Sequence, residues 1–309
     1  MKTTTLRVDL HTHTTVSDGA LTPRELVRAA KNARLDIIAI TDHDATDALD
    51  EAVAEGLALG LKIIPGIELS THAPLEIPRV ESLSTTYGGD IQDKRFLTGH
   101  AHGFEIHILG YNINYKSGQF QERLDALRRS RIDRVYLICG ELKKLGVDIS
   151  AEEVLSTVKG RSATRAHIGR IVVDKGYADN IRQAFKKYLG HGAPAFVKTS
   201  DFTPKDAIEL IKSAGGISSL AHPGLIGDDI VIPSLVGDGL QAIEVFHRYD
   251  NRDTYKTYLA MAKKYKLFIT GGSDFHGGNS DCDAAGLGEI VLPYEYFVEV
   301  EKVISGNPH

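Results

Sequence analysis

The sequence predicts an α/β barrel that carries an inserted helical subdomain. Three observations lead there. Short apolar runs of the buried parallel-strand type alternate with helical stretches, the pattern of repeated strand–helix units. Six of these runs end in His, Asp or Glu or carry one near the end, and barrel folds build their active sites at the carboxyl ends of strands. Residues 119–197 lose the strand signal and read as successive helices stopped by glycine. At 309 residues, the chain is long enough to bury a full core without staples. The expected division is 1–118 and 198–309 for the barrel, with 119–197 as the insertion.

The first strand, Val8-Asp9-Leu10, runs into His11-Thr12-His13. Strand side chains alternate between faces, so His11 and His13 share one, which makes poor core but a good chelate. Asp18, just before Gly19, adds a hard oxygen ligand from the following turn. A helix opens next, with Thr22 as N-cap, Pro23 at the first position and Glu25 three residues after the cap. Ile37-Ile38-Ala39-Ile40 then leads into Thr41-Asp42-His43-Asp44, where Asp42 and Asp44 read as orienters of the His43 imidazole. A helix over 47–61 precedes a strand ending in Gly66-Ile67-Glu68.

Residues 71–103 break this rhythm. Prolines and glycines without an apolar period predict a long loop, in which His72, His100 and His102 stand within reach of a phosphate or metal. A strand with His107 follows. Helices are then expected over 120–127, 135–145, 151–158, 164–175 and 180–189, with Gly146, Gly176 and Gly190 at stops. Thr164-Arg165-Ala166-His167 opens one of them, and at a helix entrance both Arg165 and His167 can project into a neighbouring cleft. Further on lie a helix over 204–214, the strand before His222, a strand over 242–248, a helix over 252–264, the strand leading to Asp274 and His276, and a last strand Ile290-Val291-Leu292.

The formal net charge of −5 argues against a large nucleic-acid footprint. Arg128, Arg129, Arg131 and Arg134 read as a solvated helix face. Cys139 and Cys282 make neither a disulfide framework nor a thiolate site, which suits a reducing cytoplasm. No charged-then-apolar leader precedes Val8 and no apolar run reaches the length of a membrane span, so no membrane partner is expected.

Taken together, His11-Thr12-His13 with Asp18, Thr41-Asp42-His43-Asp44, Gly66-Ile67-Glu68, Ala221-His222-Pro223-Gly224 and Ser273-Asp274-Phe275-His276 resemble the motifs of the PHP family, the polymerase and histidinol phosphatase metallophosphoesterases. Within it, the segments Thr164–Arg170 and Ile243–Arg248 resemble the stand-alone nucleoside 3',5'-bisphosphate and 5'-nucleotide phosphatases. The resemblance implies a distorted (β/α)7-type barrel. It implies one metal on His11, His13, Glu68 and Asp274, a second sharing Glu68 with His107 and His222, and a third on Asp18, His43 and His276. Two or three divalent ions, Mn²⁺, Fe²⁺ or Zn²⁺, suit these nitrogen and oxygen donors. It further implies that Arg165 contacts a phosphate and His167 lies near the substrate, with His247 and Arg248 beside them.

Clustered divalent metals neutralise the anionic oxygens of a phosphate ester and furnish hydroxide at neutral pH. The expected activity is therefore hydrolysis of phosphate esters of nucleotides or small sugar phosphates, by hydroxide attack on phosphorus between metals that Glu68 bridges and Asp274 ligates. The expected product is inorganic phosphate, and no long nucleic acid is expected as partner. Competing readings are a phosphodiesterase on a ribose cyclic phosphate or on short RNA ends, and a non-catalytic accessory module. Amidohydrolase-type cleavage of a C–N bond shares the His-x-His strand, but such sites often use a carboxylated lysine where this chain has Glu68.

Overall fold

The computed structural model describes residues 6–73, 104–198, 201–226, 229–248, 252–277 and 286–305. Seven strands lie side by side in chain order: β1 (Val8–Asp9), β2 (Ile37–Ile40), β3 (Lys62–Ala73), β4 (Phe104–Tyr111), β5 (Ile217–Leu220), β6 (Ala242–His247) and β7 (Phe268–Gly272). β1, β2 and β3 pair in parallel, as do β5, β6 and β7. β4 runs antiparallel to both β3 and β5. The sheet then curls until its first and last strands meet: Leu10 N donates to the Gly271 carbonyl at 3.1 Å and His13 N to that of Phe275 at 2.9 Å. The result is the distorted, nearly closed (β/α)-type barrel.

The helices are α1 (Pro23–Asn32), α2 (Leu49–Leu59), α3 (Gly118–Lys144), α4 (Ala151–Thr157), α5 (Arg165–Asp174), α6 (Ile181–Ala184, continued by a π-turn over Phe185–Leu189), α7 (Pro204–Ser213), α8 (Val231–Gly237), α9 (Arg252–Tyr265) and α10 (Tyr294–Ser305). The Thr22–Glu25 capping box forms as its sequence requires, each residue's side chain bonding the other's backbone N–H. Two expectations fail here. The helices expected over 120–127 and 135–145 are one 27-residue helix, because the arginine-rich stretch between them contains no breaker and arginine favours helix. Ile290–Leu292 is not a strand: Leu292 makes a single antiparallel bridge to Val8.

α3 joins two cores. Near its start Phe120, Leu124 and Leu127 pack with β3, β4 and α7 residues such as Ile67, Ile108 and Ile211. Further along, Val135, Ile138 and Leu142 pack with Val154, Ile168, Val172 and Leu189, a cluster drawn entirely from residues 135–195. Between them, Arg128, Arg131 and Arg134 recur every three residues on one helix face. They are 5%, 6% and 8% exposed, which overturns the solvated-face expectation for all but the exposed Arg129. Of the loop expected over 71–103, Thr71, His72 and Ala73 belong to β3, and the rest, with His100 and His102, lies outside the described residues. Among the described residues, no helix is long and apolar enough to cross a membrane.

Candidate metal centre

His11 and His13 leave β1 on alternate positions, as their spacing requires, and both side chains are completely buried with ring centroids 5.1 Å apart. The backbone of β7 passes so close that a Cβ on Gly272 would lie 2.4 Å from His11 N, so only glycine fits there. Beyond β2, the pairing with β3 continues as a bridge between His43 and Glu68, which sets imidazole beside carboxylate. His107 comes from β4, His222 from the end of β5, and Asp274 and His276 from the end of β7. His222 (φ 29°) and Asp274 (φ 50°) both sit in the left-handed region, a backbone cost that non-glycine residues carry mainly at functional sites.

Glu68 stands at the middle. Its Oε2 lies 3.3 Å from Nε2 of His11, 3.3 Å from Nε2 of His13 and 3.2 Å from Nδ1 of His43. Its Oε1 lies 2.8 Å from His107 Nδ1 and 2.9 Å from His222 Nε2. Asp274 Oδ1 is 3.1 Å from His13 Nε2 and 3.4 Å from His11 Nε2, while Asp18 Oδ1 is 3.4 Å from His276 Nε2. The donor atoms fall into three sets, each within 4.8 Å: His11, His13, Glu68 and Asp274; His13, Asp18, His43 and His276; and His43, Glu68 and His107. Eight of the nine sequence-predicted ligand residues fall in these sets, with His13, His43 and Glu68 each in two; the ninth, His222, stands beside them with Nε2 2.9 Å from Glu68 Oε1.

The set fits metal ions on its own chemistry. His11 Nε2, His13 Nε2, His43 Nδ1, Asp18 Oδ1 and Glu68 Oε2 are buried and have no hydrogen-bond partner, whereas nearly all buried polar atoms in proteins have one. Five such atoms facing each other are what cations would satisfy, and the mixture of imidazole and carboxylate without thiolate suits Mn²⁺, Fe²⁺ or Zn²⁺. Burial opposes ionisation of Glu68, but His43, His107 and His11 outweigh it and hold the carboxyl well below its usual range. The same contest, settled by His43 and His276, lowers Asp18. Burial drives the His43 imidazole down to about 3, keeping it neutral and able to coordinate. For His13, burial is overcome by Asp274 and Glu68, which carry it up to about 10.

Carboxylates behind the cluster hold it in place, and two of them carry functions the sequence reading did not assign. Glu244 on β6 sits 3.1 Å from His11 Nδ1 and accepts the His222 backbone N–H at 2.8 Å. Asp9 accepts Ser273 N at 2.9 Å and Ser273 Oγ at 2.6 Å, fastening β1 to the end of β7, and burial pushes its carboxyl up to about 6. Each is a lone carboxylate inside an apolar strand, Val8-Asp9-Leu10 and Ile243-Glu244-Val245, and that was the available signal. Asp42 and Asp44 do not orient His43. Asp42 accepts Thr14 N and Ser17 Oγ, shaping the turn that presents Asp18. Asp44 accepts Ser70 N at 3.0 Å and Arg131 Nε at 2.5 Å.

A cavity of about 270 Å³ is lined by cluster residues, among them Asp18, His43, Glu68, His107 and Asp274, and by the arginines Arg131, Arg134, Arg165, Arg170 and Arg248. Arg165 lies at the entrance of α5, as its place in the sequence suggests, and pairs with Glu105 of β4. Arg134 pairs with the same carboxylate at 3.5 Å. Burial pulls Arg134 down to about 10 against the opposing pull of Glu105. Burial likewise opposes the ionised form of Glu105, and Arg165 and Arg134 more than reverse it, holding the carboxyl well below its usual range. Arg248 donates to Asp274 Oδ2 at 3.2 Å. His167 and His247 stand otherwise than expected, since neither lines this cavity among the described residues. His167 is buried, and its Nδ1 accepts the Thr164 N–H at 3.1 Å, closing the start of α5. His247 is buried with Nε2 3.6 Å from Asp274 Oδ2.

Residues 9–196 match the family model of the PHP domain, more than half of the chain. The chain belongs to the PHP family. It is 32% identical to the 5'-3' exoribonuclease Rnm of Escherichia coli over 277 residues, 87% of this chain and 84% of that one. It is 28% identical to the 3',5'-nucleoside bisphosphate phosphatase of Chromobacterium violaceum over 87% of each chain. A crystal structure from Bifidobacterium adolescentis, assigned as a metal-dependent phosphoesterase, superimposes with a TM-score of 0.76 at 25% identity and 96% coverage of both chains. This PHP protein is a metal-dependent phosphoesterase, a hydrolase of phosphoric esters, and its clustered histidines and acids could hold metal ions.

Proposed function

We propose that this chain hydrolyses phosphate esters of nucleotides, the ends of short RNA among them, at two or three divalent ions held by His11, His13, Asp18, His43, Glu68, His107, His222, Asp274 and His276. One observation carries the reading: a single cavity is lined both by the imidazoles and carboxylates of the cluster and by five arginines. An ester phosphate placed in that cavity meets cationic donors as well as the residues that would hold the metal ions. When bound, the ions supply Lewis-acid charge and hydroxide at neutral pH. Glu68 contributes both carboxylate oxygens, one toward His11, His13 and His43 and the other toward His107 and His222, so it is the residue that links the ion positions. Arg165 anchors phosphoryl oxygens through a planar set of donors. Arg248 holds Asp274, and His247 packs against it. His167 serves by fixing the turn that carries Arg165.

The nucleotide class is supported by the exoribonuclease and bisphosphate phosphatase relatives, which share that chemistry, and the net charge of −5 favours short substrates over long ones. The test is release of phosphate or nucleotide by protein reconstituted with Mn²⁺, from 5'- and 3'-mononucleotides, nucleoside 3',5'-bisphosphates, a ribose cyclic phosphate and a 5'-phosphorylated RNA oligomer. Turnover of a nucleotide ester is expected, lost on chelation and reduced by about 10²-fold or more in Glu68→Gln, with a matching loss of bound metal. A fully loaded protein silent on every nucleotide ester would overturn the reading.

A further inference from the structure

We propose that Gly160 and Arg170 are positioning residues: they hold the turn that carries Asp18, so that helices supplying none of the nine ligand residues govern the ion site of Asp18, His43 and His276. This rests on the ligand assignment proposed above and adds two residues to it. The other ligand residues need no such help. They lie on strands or within a few residues of a strand end, where the pairing of the barrel fixes the backbone. Asp18 is separated from β1 by the turn that begins at Thr14, yet its carboxylate meets donor atoms of His13, His43 and His276 within 4.8 Å.

Two flanks hold that turn. On the barrel side, Asp42 accepts Thr14 N at 2.8 Å and Ser17 Oγ at 2.6 Å, and Ala20 N donates to the His276 carbonyl at 2.5 Å. The other flank belongs to α5 and the loop between α4 and α5. Gly160 in that loop touches the backbone of Val16. A Cβ at 160 would lie 2.0 Å from the Val16 carbonyl oxygen, an overlap that only movement of the loop or the turn could relieve. From α5, an Nη of Arg170 donates to the carbonyl oxygen of Asp18 itself at 2.5 Å.

Both contacts come from one packed unit. Val154 of α4 and Ile168 and Val172 of α5 share a core with Val135, Ile138 and Leu142 of α3. Gly160 and Arg170 therefore reach the turn from elements that close packing fixes relative to each other. Arg170 also differs from the other arginines that line the cavity. Arg131, Arg134, Arg165 and Arg248 each face a carboxylate, whereas among the described residues Arg170 forms no ion pair and bonds a backbone carbonyl instead. A hydrogen bond from a charged donor is stronger than a neutral one, so it pins the Asp18 backbone firmly. The side chain is thereby set toward His276, whose Nε2 lies 3.4 Å from Asp18 Oδ1. That oxygen is buried without a hydrogen-bond partner, as suits an atom kept for a cation.

The experiment titrates Mn²⁺ into the metal-free full chain and counts bound ions by equilibrium dialysis. No substrate is present, so any contact between Arg170 and substrate leaves the readout unmoved. Asp18→Asn identifies the ion concerned as the one it weakens. Arg170→Met keeps the aliphatic stem and removes the donor. It should weaken that same ion by about 10- to 100-fold, the effect typical of groups that orient a ligand, and leave the other ions within about threefold. Gly160→Ala should act on the same ion, and in the Asp18→Asn background neither substitution should weaken it further. Wild-type affinity for every ion in either variant, equal weakening of all ions, or further loss on top of Asp18→Asn would each overturn the proposal. Wild type that binds no Mn²⁺, or Asp18→Asn with every ion intact, would instead sink the ligand assignment, and this inference with it.

Discussion

Nδ1 of His11 lies 3.1 Å from Oε1 of Glu244, and neither side chain has any exposure to solvent. The carboxylate accepts the Nδ1–H and so turns His11 Nε2 toward Glu68 and Asp274, where the proposed cation would be held. It also raises the basicity of that nitrogen. Carboxylates in this position typically account for 10- to 100-fold in metal affinity. Glu244→Gln keeps the volume and loses the charge. It should weaken Mn²⁺ binding by about that factor, measured by metal content after dialysis against graded metal buffers, with far-ultraviolet circular dichroism unchanged. Undiminished metal affinity would show that Glu244 only fills space.

Asp44 and Arg131 form a second buried pair, 2% and 6% exposed, which ties the end of β2 to α3. Arg131 also donates to Ser70 Oγ at 2.7 Å and to the Ala163 carbonyl at 3.1 Å, so one guanidinium holds β3 and the approach to α5 as well. Removing the carboxylate leaves a buried charge without its partner, at a cost of about 3–5 kcal/mol. Asp44→Ala should lose stability on that scale in urea unfolding. Asp44→Asn should lose less, because it keeps an acceptor for the Ser70 N–H and asparagine tolerates the left-handed backbone at φ 48°. Equal losses in the two variants would assign the effect to shape instead of charge.

The barrel was legible because its strands follow from local pattern, and the ligand residues because the motifs that carry them resemble those of a known family. Apolar runs fixed the strands, alternation put His11 and His13 on one face, and the resemblance to the PHP motifs added Glu68 and Asp274 to the same set. What escaped depends on distant partners. Arg128, Arg131 and Arg134 resemble a solvated stripe until the residues opposite are known; Asp44, Asp47 and Glu105, which bury them as pairs, come from other elements. The antiparallel course of β4 has no local signature, since a strand reads alike in either direction. His167 was placed near the right helix entrance but aimed wrongly, because a capping histidine and a cleft histidine occupy the same positions in sequence.

That cap makes the last prediction. Nδ1 of His167 accepts the Thr164 N–H at 3.1 Å and lies 3.0 Å from Thr164 Oγ1, so the cap requires a neutral ring. Burial, reinforced by Arg170 and Arg131 and opposed by Asp18, lowers the His167 pKa below its ordinary value. The unfolded chain, whose histidine titrates near about 6.5, therefore binds the proton more readily than the folded one. The contribution to stability is complete above that pH and is lost as pH falls below it toward the folded value. In His167→Gln an amide oxygen can still accept the Thr164 N–H, as in an ordinary capping box, but it does not titrate. Urea unfolding of wild type and variant at pH 5 and pH 8 should show the two within about 1 kcal/mol at pH 8, with wild type losing ground to the variant at pH 5. A difference between them that is the same at both values would mean that His167 takes up its proton equally readily in the folded and unfolded chain, and would overturn the prediction.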